Sequence, residues 1–207
     1  YQQDHYQLHF NHSFNNDLKF SSAAHYTRGR GYFEQYKADE DFEDYGFLPI
    51  ILSSDTINTT DLIRRRWLDN HFYGGIFSFS YEKDALNLIF GGGANRYKGG
   101  HFGEVIWAEY SSSSQIRDRY YDNDAEKNEA HTYFKGTYKF NRLTLFGDLQ
   151  FRHIDYSFLG IDDVNGAIED VAQTKIFFFF NPKLGFMYDF DERNNVYASL
   201  AVANREP

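Results

Sequence analysis

The stretch that decides the fold is Thr174–Phe190, TKIFFFFNPKLGFMYDF. Read at period two, one face carries Ile176, Phe178, Phe180, Pro182, Leu184, Phe186, Tyr188 and Phe190. The other carries Lys175, Phe177, Phe179, Asn181, Lys183, Gly185, Met187 and Asp189. The first set is uncharged, with one tyrosine hydroxyl. The second mixes charge, amide, glycine and apolar groups. Alternate residues of an extended strand point to opposite faces, so this pattern predicts a strand between a greasy medium and a wet one. At about 3.3 Å per residue and a tilt of about 45°, ten residues cross about 23 Å, enough to span a bilayer. The four consecutive phenylalanines are far short of the roughly twenty apolar residues of a membrane helix.

The same alternation recurs along the chain. Tyr6, Leu8, Phe10, His12 and Phe14 oppose His5, Gln7, His9, Asn11 and Ser13. Leu18, Phe20, Ala24 and Tyr26 begin a strand predicted to reach about Tyr36, with its distal half, TRGRGYFEQY, projecting into water. Further strands are predicted from Leu62 to Glu82, from Leu86 to about Asn95, from Glu129 to Phe140, from Arg142 to Phe158 and from Val196 to about Ala203, eight in all with the first stretch. Tight turns are expected near 15–17, 83–85, 140–142 and 191–194. Long loops are expected at 37–61, 97–127 and 159–173, with Val105–Tyr110 a possible short strand inside the second.

Each tight turn follows an aromatic, Phe14, Tyr81, Phe140 or Phe190, and each next strand opens on an aliphatic, Leu18, Leu86, Leu143 or Val196. An aromatic girdle at the rim of tight turns, with long loops at the other rim, is the asymmetry of outer-membrane barrels. A soluble sandwich could alternate too. It would not gather every aromatic cap at one rim, nor need strands of about twenty residues where the usual length is about five or six.

Composition agrees. The 207 residues suffice for one domain, and 22 Phe, 17 Tyr and two Trp make 20% of them, which favours strands and interfacial belts. A hydrophobic content of 42% is no objection, because only every second strand residue meets lipid. The net charge of −9 argues against a nucleic-acid partner. The absence of cysteine excludes disulfides and thiol chemistry. Tyr1–Phe10 is polar and alternating rather than a basic, apolar leader, so the segment is expected to be mature or excised if the protein is exported.

The sequence resembles the barrel of TonB-dependent outer-membrane receptors. The likeness is carried by residues 1–37 (YQQDHYQLHFNHSFNNDLKFSSAAHYTRGRGYFEQYK), 90–110 (FGGGANRYKGGHFGEVIWAEY) and 195–207 (NVYASLAVANREP), and extends over nearly the whole chain. It implies an all-β, antiparallel, up-and-down transmembrane barrel of roughly 22 strands with a plug in its lumen. It also implies a TonB box near the N terminus and a C-terminal strand ending in an aromatic. None of these last features is visible in residues 1–207, which are therefore expected to be an interior slice of about eight strands. For the parent, the resemblance implies import of a scarce nutrient (siderophore-iron, haem, cobalamin or glycan) across a Gram-negative outer membrane. The implied partners are TonB, a small extracellular ligand and outer-membrane lipid. Two alternatives stand beside it: a complete eight-stranded barrel acting as adhesin or anchor, and an outer-membrane hydrolase.

No chemical motif points to catalysis, a metal or a cofactor, and no ligand-binding residue is singled out. His5 and His9 share a face, but about 13 Å of strand separates their backbones, too far for one ion. His12, His25, His71, His101, His131 and His153 show no ligand spacing. Gly91–Gly93, Gly99, Gly100 and Gly103 match neither phosphate-binding pattern, and predict a bend or a close approach, in the parent by the plug. The acidic runs at 39–44, 122–129 and 162–170 spell no EF-hand. Arg64–Arg66 beside Trp67 are expected to form a solvated basic rim, and Ser111–Ser114 a loop without a paired base.

Overall fold

In the computed structural model, described for residues 1–112, 114–159, 161–164, 167–170 and 173–206, the chain is an antiparallel eight-stranded sheet. Its strands are β1 (Gln2–Ser13), β2 (Leu18–Asp41), β3 (Thr59–Lys83), β4 (Leu86–Ala108), β5 (Arg119–Phe140), β6 (Leu143–Leu159), β7 (Gln173–Asp189) and β8 (Asn195–Ala201). They lie side by side in chain order, each joined to the next, so every connection is a hairpin. Among the described residues no helix is long and apolar enough to cross a membrane, which places no limit on strands.

Polar side chains close the tight turns. Asn15 Oδ1 accepts from the Asp17 and Leu18 amides, both at 2.8 Å. Asp191 Oδ1 accepts from the Arg193 and Asn194 amides at 2.8 and 2.9 Å. Asp84 and Asn141 take the two-residue turns with φ of 51° and 54°, which short polar side chains tolerate best after glycine.

The hairpins are staggered. The paired row Leu18–Tyr81–Leu88–Gly136–Gly147–Leu184–Leu200 starts at the first turn, yet reaches Leu184 five residues above the end of β7. Five residues at about 3.3 Å over five strand spacings of about 4.8 Å give a lean of about 35° to the normal of the turn rim. Barrel strands commonly lean by about 35–45°, and a barrel closes only with such stagger.

The side chains of Phe178, Leu184, Phe180 and Phe186 are exposed, Phe178 and Leu184 by 78% and 69%. Register places Leu8, Phe10, Phe20, Phe77, Phe79, Leu88, Phe90, Phe134, Leu145, Leu149, Phe151 and Leu200 on the same side. This belt face covers the turn-end half of the sheet. The opposite face, the ladder face, carries cross-strand polar pairs: Arg152 to Glu129 at 3.0 Å, Lys135 to Asp148 at 3.6 Å, and Asn181 donating to Gln150 at 3.2 Å.

The strands run well past the belt. The expected loop over 97–127 shrinks to residues 109–118, because β4 and β5 stay paired to Glu104 and Arg119. The first loop is confined to 42–58 and contains a short 3₁₀ turn, Glu43–Tyr45, and a two-residue hairpin, Ile50–Ile51 with Thr56–Ile57. Within the third, Ile161–Val164 pairs with Ala167–Asp170, while residues 160, 165, 166, 171 and 172 lie outside the described residues. The long loops lack the lipid constraint, so charge and glycine mark water rather than irregular backbone.

Candidate ligand-binding site

Loop 42–58 folds onto the ladder face at the loop end. Phe42, Tyr45 and Phe47 cover Leu62 of β3 and Val105 of β4, and these five form a buried cluster. Leu62 and Phe42 are 0% and 2% exposed. The 3₁₀ turn is held by the Phe47 amide donating to the Phe42 carbonyl at 2.9 Å, and it ends at Gly46, whose φ of 70° needs no Cβ. Below it, the Phe42 amide donates to the Asn58 carbonyl at 2.8 Å, which closes the loop at its base.

Arg64 sits under this cap, and Arg66 lies beside it on the same face. Arg64 donates to the Tyr45 hydroxyl at 2.9 Å and to Gln35 Oε1 at 3.2 Å. Tyr45 in turn donates to Glu40 at 2.5 Å, and burial pushes the Tyr45 phenol up from its ordinary value. It therefore stays a donor throughout the physiological range. Arg66 donates through Nε to the Tyr121 hydroxyl at 3.2 Å and lies 5.5 and 5.9 Å from the rings of Tyr121 and Phe33. The Tyr120 ring packs at a tilt against Tyr45, with centroids 4.7 Å apart. The Arg64 Nε and the Tyr120 hydroxyl are buried without a hydrogen-bond partner. The described partners of both guanidiniums are phenols and an amide, so their charge is not neutralised by a bonded carboxylate. Arg66 itself is exposed. Cation, aromatic face and unpartnered donors together suit a planar anion.

Arg65 stands on the other side of the strand. It pairs with Glu34 at 2.9 Å and lies 4.3 Å from the Tyr32 ring. Trp67 shares that face, donating to Glu104 at 2.9 Å. The run Arg64–Arg66 is thus not one basic rim: the strand period sends Arg64 and Arg66 to one face and Arg65, ion-paired to Glu34, to the other.

The other candidates are resolved locally. The close approach at Gly91 is made by Tyr133 of the adjacent strand, and at Gly185 by Phe146; a Cβ at either glycine would collide with the ring. His5 meets the Thr27 hydroxyl at 3.0 Å, and His153 stacks on Phe178 at 4.5 Å. Among the described residues no cluster of His, Asp or Glu is built to hold a metal ion. The 122–129 run lies in β5, with Glu126 paired to Arg96 at 2.5 Å. Side chains of 162–170, and Ser113 within 111–114, lie outside the described residues.

The family model described as "TonB dependent receptor-like, beta-barrel" matches residues 1–207. The chain belongs to the TonB-dependent receptor β-barrel family. No single curated protein sequence matches it. Among solved structures it is similar to the ferric-catecholate import receptor Fiu of E. coli K12 in its open form, at 14% identity and a TM-score of 0.58, covering 99% of this chain and 36% of that one. It is also similar to the unliganded ferric citrate transporter FecA, at 13% identity and 0.57, covering 95% of this chain and 26% of that one. BauA, the ferric preacinetobactin receptor of Acinetobacter baumannii, follows at 10% identity and 0.50, covering 95% and 29%. These likenesses show the fold. The chain spans about a quarter to a third of each of those receptors. The all-β, antiparallel, up-and-down reading holds, and the belt face is the outer face of a receptor barrel, the ladder face its lumen side. The family consists of outer-membrane transport receptors, not enzymes.

Proposed function

We propose that residues 1–207 form part of the wall of a TonB-dependent receptor in a Gram-negative outer membrane, importing an anionic iron chelate. Among the nutrient classes such receptors take, Arg64 and Arg66 favour this one. The observation that carries the reading is the pair of guanidiniums on the lumen side, bonded to tyrosines and an amide, beside a loop that folds over Arg64. The open sheet supports a wall of a wider barrel: β1 and β8 stand at opposite edges rather than pairing with each other. In the parent, TonB would supply the energy, a plug would fill the lumen, and loops 42–58 and 109–118 would shape part of the ligand site.

The test is equilibrium binding of ferric siderophore chelates to the full-length receptor. Arg66→Gln and Arg64→Gln are expected to weaken binding by about tenfold each, the loss of a charge-assisted hydrogen bond. Arg65→Gln, one residue away but on the outer face, is expected to leave binding unchanged. Equal weakening by all three, or by none, sinks the assignment.

A further inference from the structure

Three shifts of register interrupt the eight-stranded ladder, and all lie at the loop end around Arg64 and Arg66. One extra residue stands on β2 between Lys37 and Glu40, one on β4 between Val105 and Trp107, and one on β5 between Arg119 and Tyr121. The remaining pairings of the described sheet run without a shift. A bulge breaks the period of two and re-aims the side chains around it, and bulges gather beside functional sites. On β2 the bulge is closed by the Asp39 amide donating to Asp61 Oδ1 at 3.0 Å. It turns Glu40 to the ladder face, where Glu40 accepts from the Tyr45 hydroxyl.

The β5 bulge re-aims an aromatic ring. On either side of it Arg119 and Tyr121 face opposite ways: Arg119 lies 3.6 Å from the Phe102 ring, and Tyr121 meets Arg66 on the ladder face. The extra residue, Tyr120, joins Tyr121 rather than Arg119. Its ring lies over Gly103, where a Cβ would collide with both tyrosines. Gly103 is the middle member of the row Arg66–Gly103–Tyr121, so its missing side chain is the space in which Arg66 and Tyr121 meet.

Tyr120 therefore has the cap on one side and the wall on the other. Its ring centroid is 4.7 Å from that of Tyr45 and 5.0 Å from that of Tyr121, the second contact edge-on at 77°. Tyr45 is held by Arg64 and Glu40, and Tyr121 holds Arg66. The Tyr120 hydroxyl is buried and makes no hydrogen bond, whereas Arg66 is exposed. The ring, not the hydroxyl, is what the bulge delivers.

We propose that Tyr120 is a positioning residue of the ligand site: seated on Gly103 and backed by Tyr45, it wedges Tyr121 against Arg66 and fixes the guanidinium for the anion without touching the ligand itself. The inference rests on the reading of Arg66 as a ligand cation. Packed aromatic rings hold a preferred relative orientation, and a guanidinium already aimed loses less freedom when it binds.

The test titrates the full-length receptor in detergent with ferric citrate and with a ferric tris-catecholate, two anionic chelate probes. Heat-modifiable migration reports that each variant is folded. Tyr120→Ala is expected to weaken binding of the probe that wild type takes by about fivefold, and to add nothing in the Arg66→Gln background. Tyr120→Phe, which keeps the ring and drops only the unbonded hydroxyl, is expected to bind as wild type does. Gly103→Ala, whose methyl displaces both rings, is expected to match Tyr120→Ala. A second readout needs no ligand: the Arg66 Nε–H resonance is expected to stand apart from free arginine side chains in wild type and Tyr120→Phe, and to merge with them in Tyr120→Ala. A folded Tyr120→Ala that binds like wild type where Arg66→Gln does not, an unmoved Arg66 resonance, a Tyr120→Phe as weak as Tyr120→Ala, or an equal loss with and without Arg66 would each overturn the proposal. Failure of the underlying reading looks different: Arg66→Gln then leaves binding of both probes unchanged, while the resonance still shows whether Tyr120 holds the guanidinium.

Discussion

At the loop end of the sheet, Phe42, Tyr45, Phe47, Leu62 and Val105 shelter one another. At the turn end, Phe10, Phe134, Leu184 and Phe186 shelter nothing and stay exposed. The backbone is the same ladder in both halves. What differs is where the apolar side chains leave water. The loop end does so by folding a segment of chain back over the wall, an ordinary small protein core. The turn end has one layer and no second element to pack on, so its burial must come from the surroundings. Cross-strand hydrogen bonds are present in both halves and cannot explain the difference; the hydrophobic term can, because it needs only an apolar neighbour, whatever molecule supplies it.

The largest effect that can break this comparison is removal of the surroundings. Residues 1–207 made alone are expected to need detergent, or to associate through the belt and the unpaired edges of β1 and β8. Sedimentation in detergent-free buffer checks this, and a monomer at high concentration would contradict it. A sharper comparison uses one substitution in each half of the full-length receptor. Phe42→Ala is expected to cost about 3–5 kcal/mol of local stability, read as lost hydrogen-exchange protection over 42–58. Leu184→Arg, in the belt, is expected to cost about 2–4 kcal/mol in reversible folding into lipid vesicles and to leave protection of 42–58 unchanged. If either substitution moves the other half's readout, the two halves are not independent.

The smallest effect lies in the turns. Hydrogen bonds from Asn194 and the Arg193 amide hold the Asp191 carboxyl below its ordinary range. A depressed acid stabilises the folded turn above its unfolded pKa, and that contribution disappears as pH falls through the lower folded value. Amide shifts of Arg193 and Asn194 are therefore expected to titrate below the ordinary carboxylate range, and Asp191→Asn to abolish the titration. A midpoint at the ordinary carboxylate value would show that the turn does not hold Asp191.

Lipid explains what the sequence made legible. Where a strand faces hydrocarbon, every second residue must be apolar, and Phe178, Phe180 and Leu184 announce that face. Beyond the belt the constraint lapses on both sides. Gly99, Gly100 and Gly103, among charged neighbours, then read as loop, although β4 continues through them with Tyr97 and Tyr120 against two of the glycines. The triple arginine was divisible by the same period-two rule, which puts Arg64 and Arg66 with Ser78 and Ser80 and puts Arg65 with Phe77. Its partners were not legible. Tyr45 comes from a loop that only the fold-back of 42–58 brings to Arg64, and Tyr121 reaches Arg66 along the paired row Arg66–Gly103–Tyr121.

The single-layer belt has a consequence for how such a chain reaches its destination. In transit through water no interior exists to hide its phenylalanines, so a finished fold cannot be shipped and must be completed on arrival. The chain has to travel open, under escort, with its surplus of nine negative charges helping to keep neighbouring copies apart.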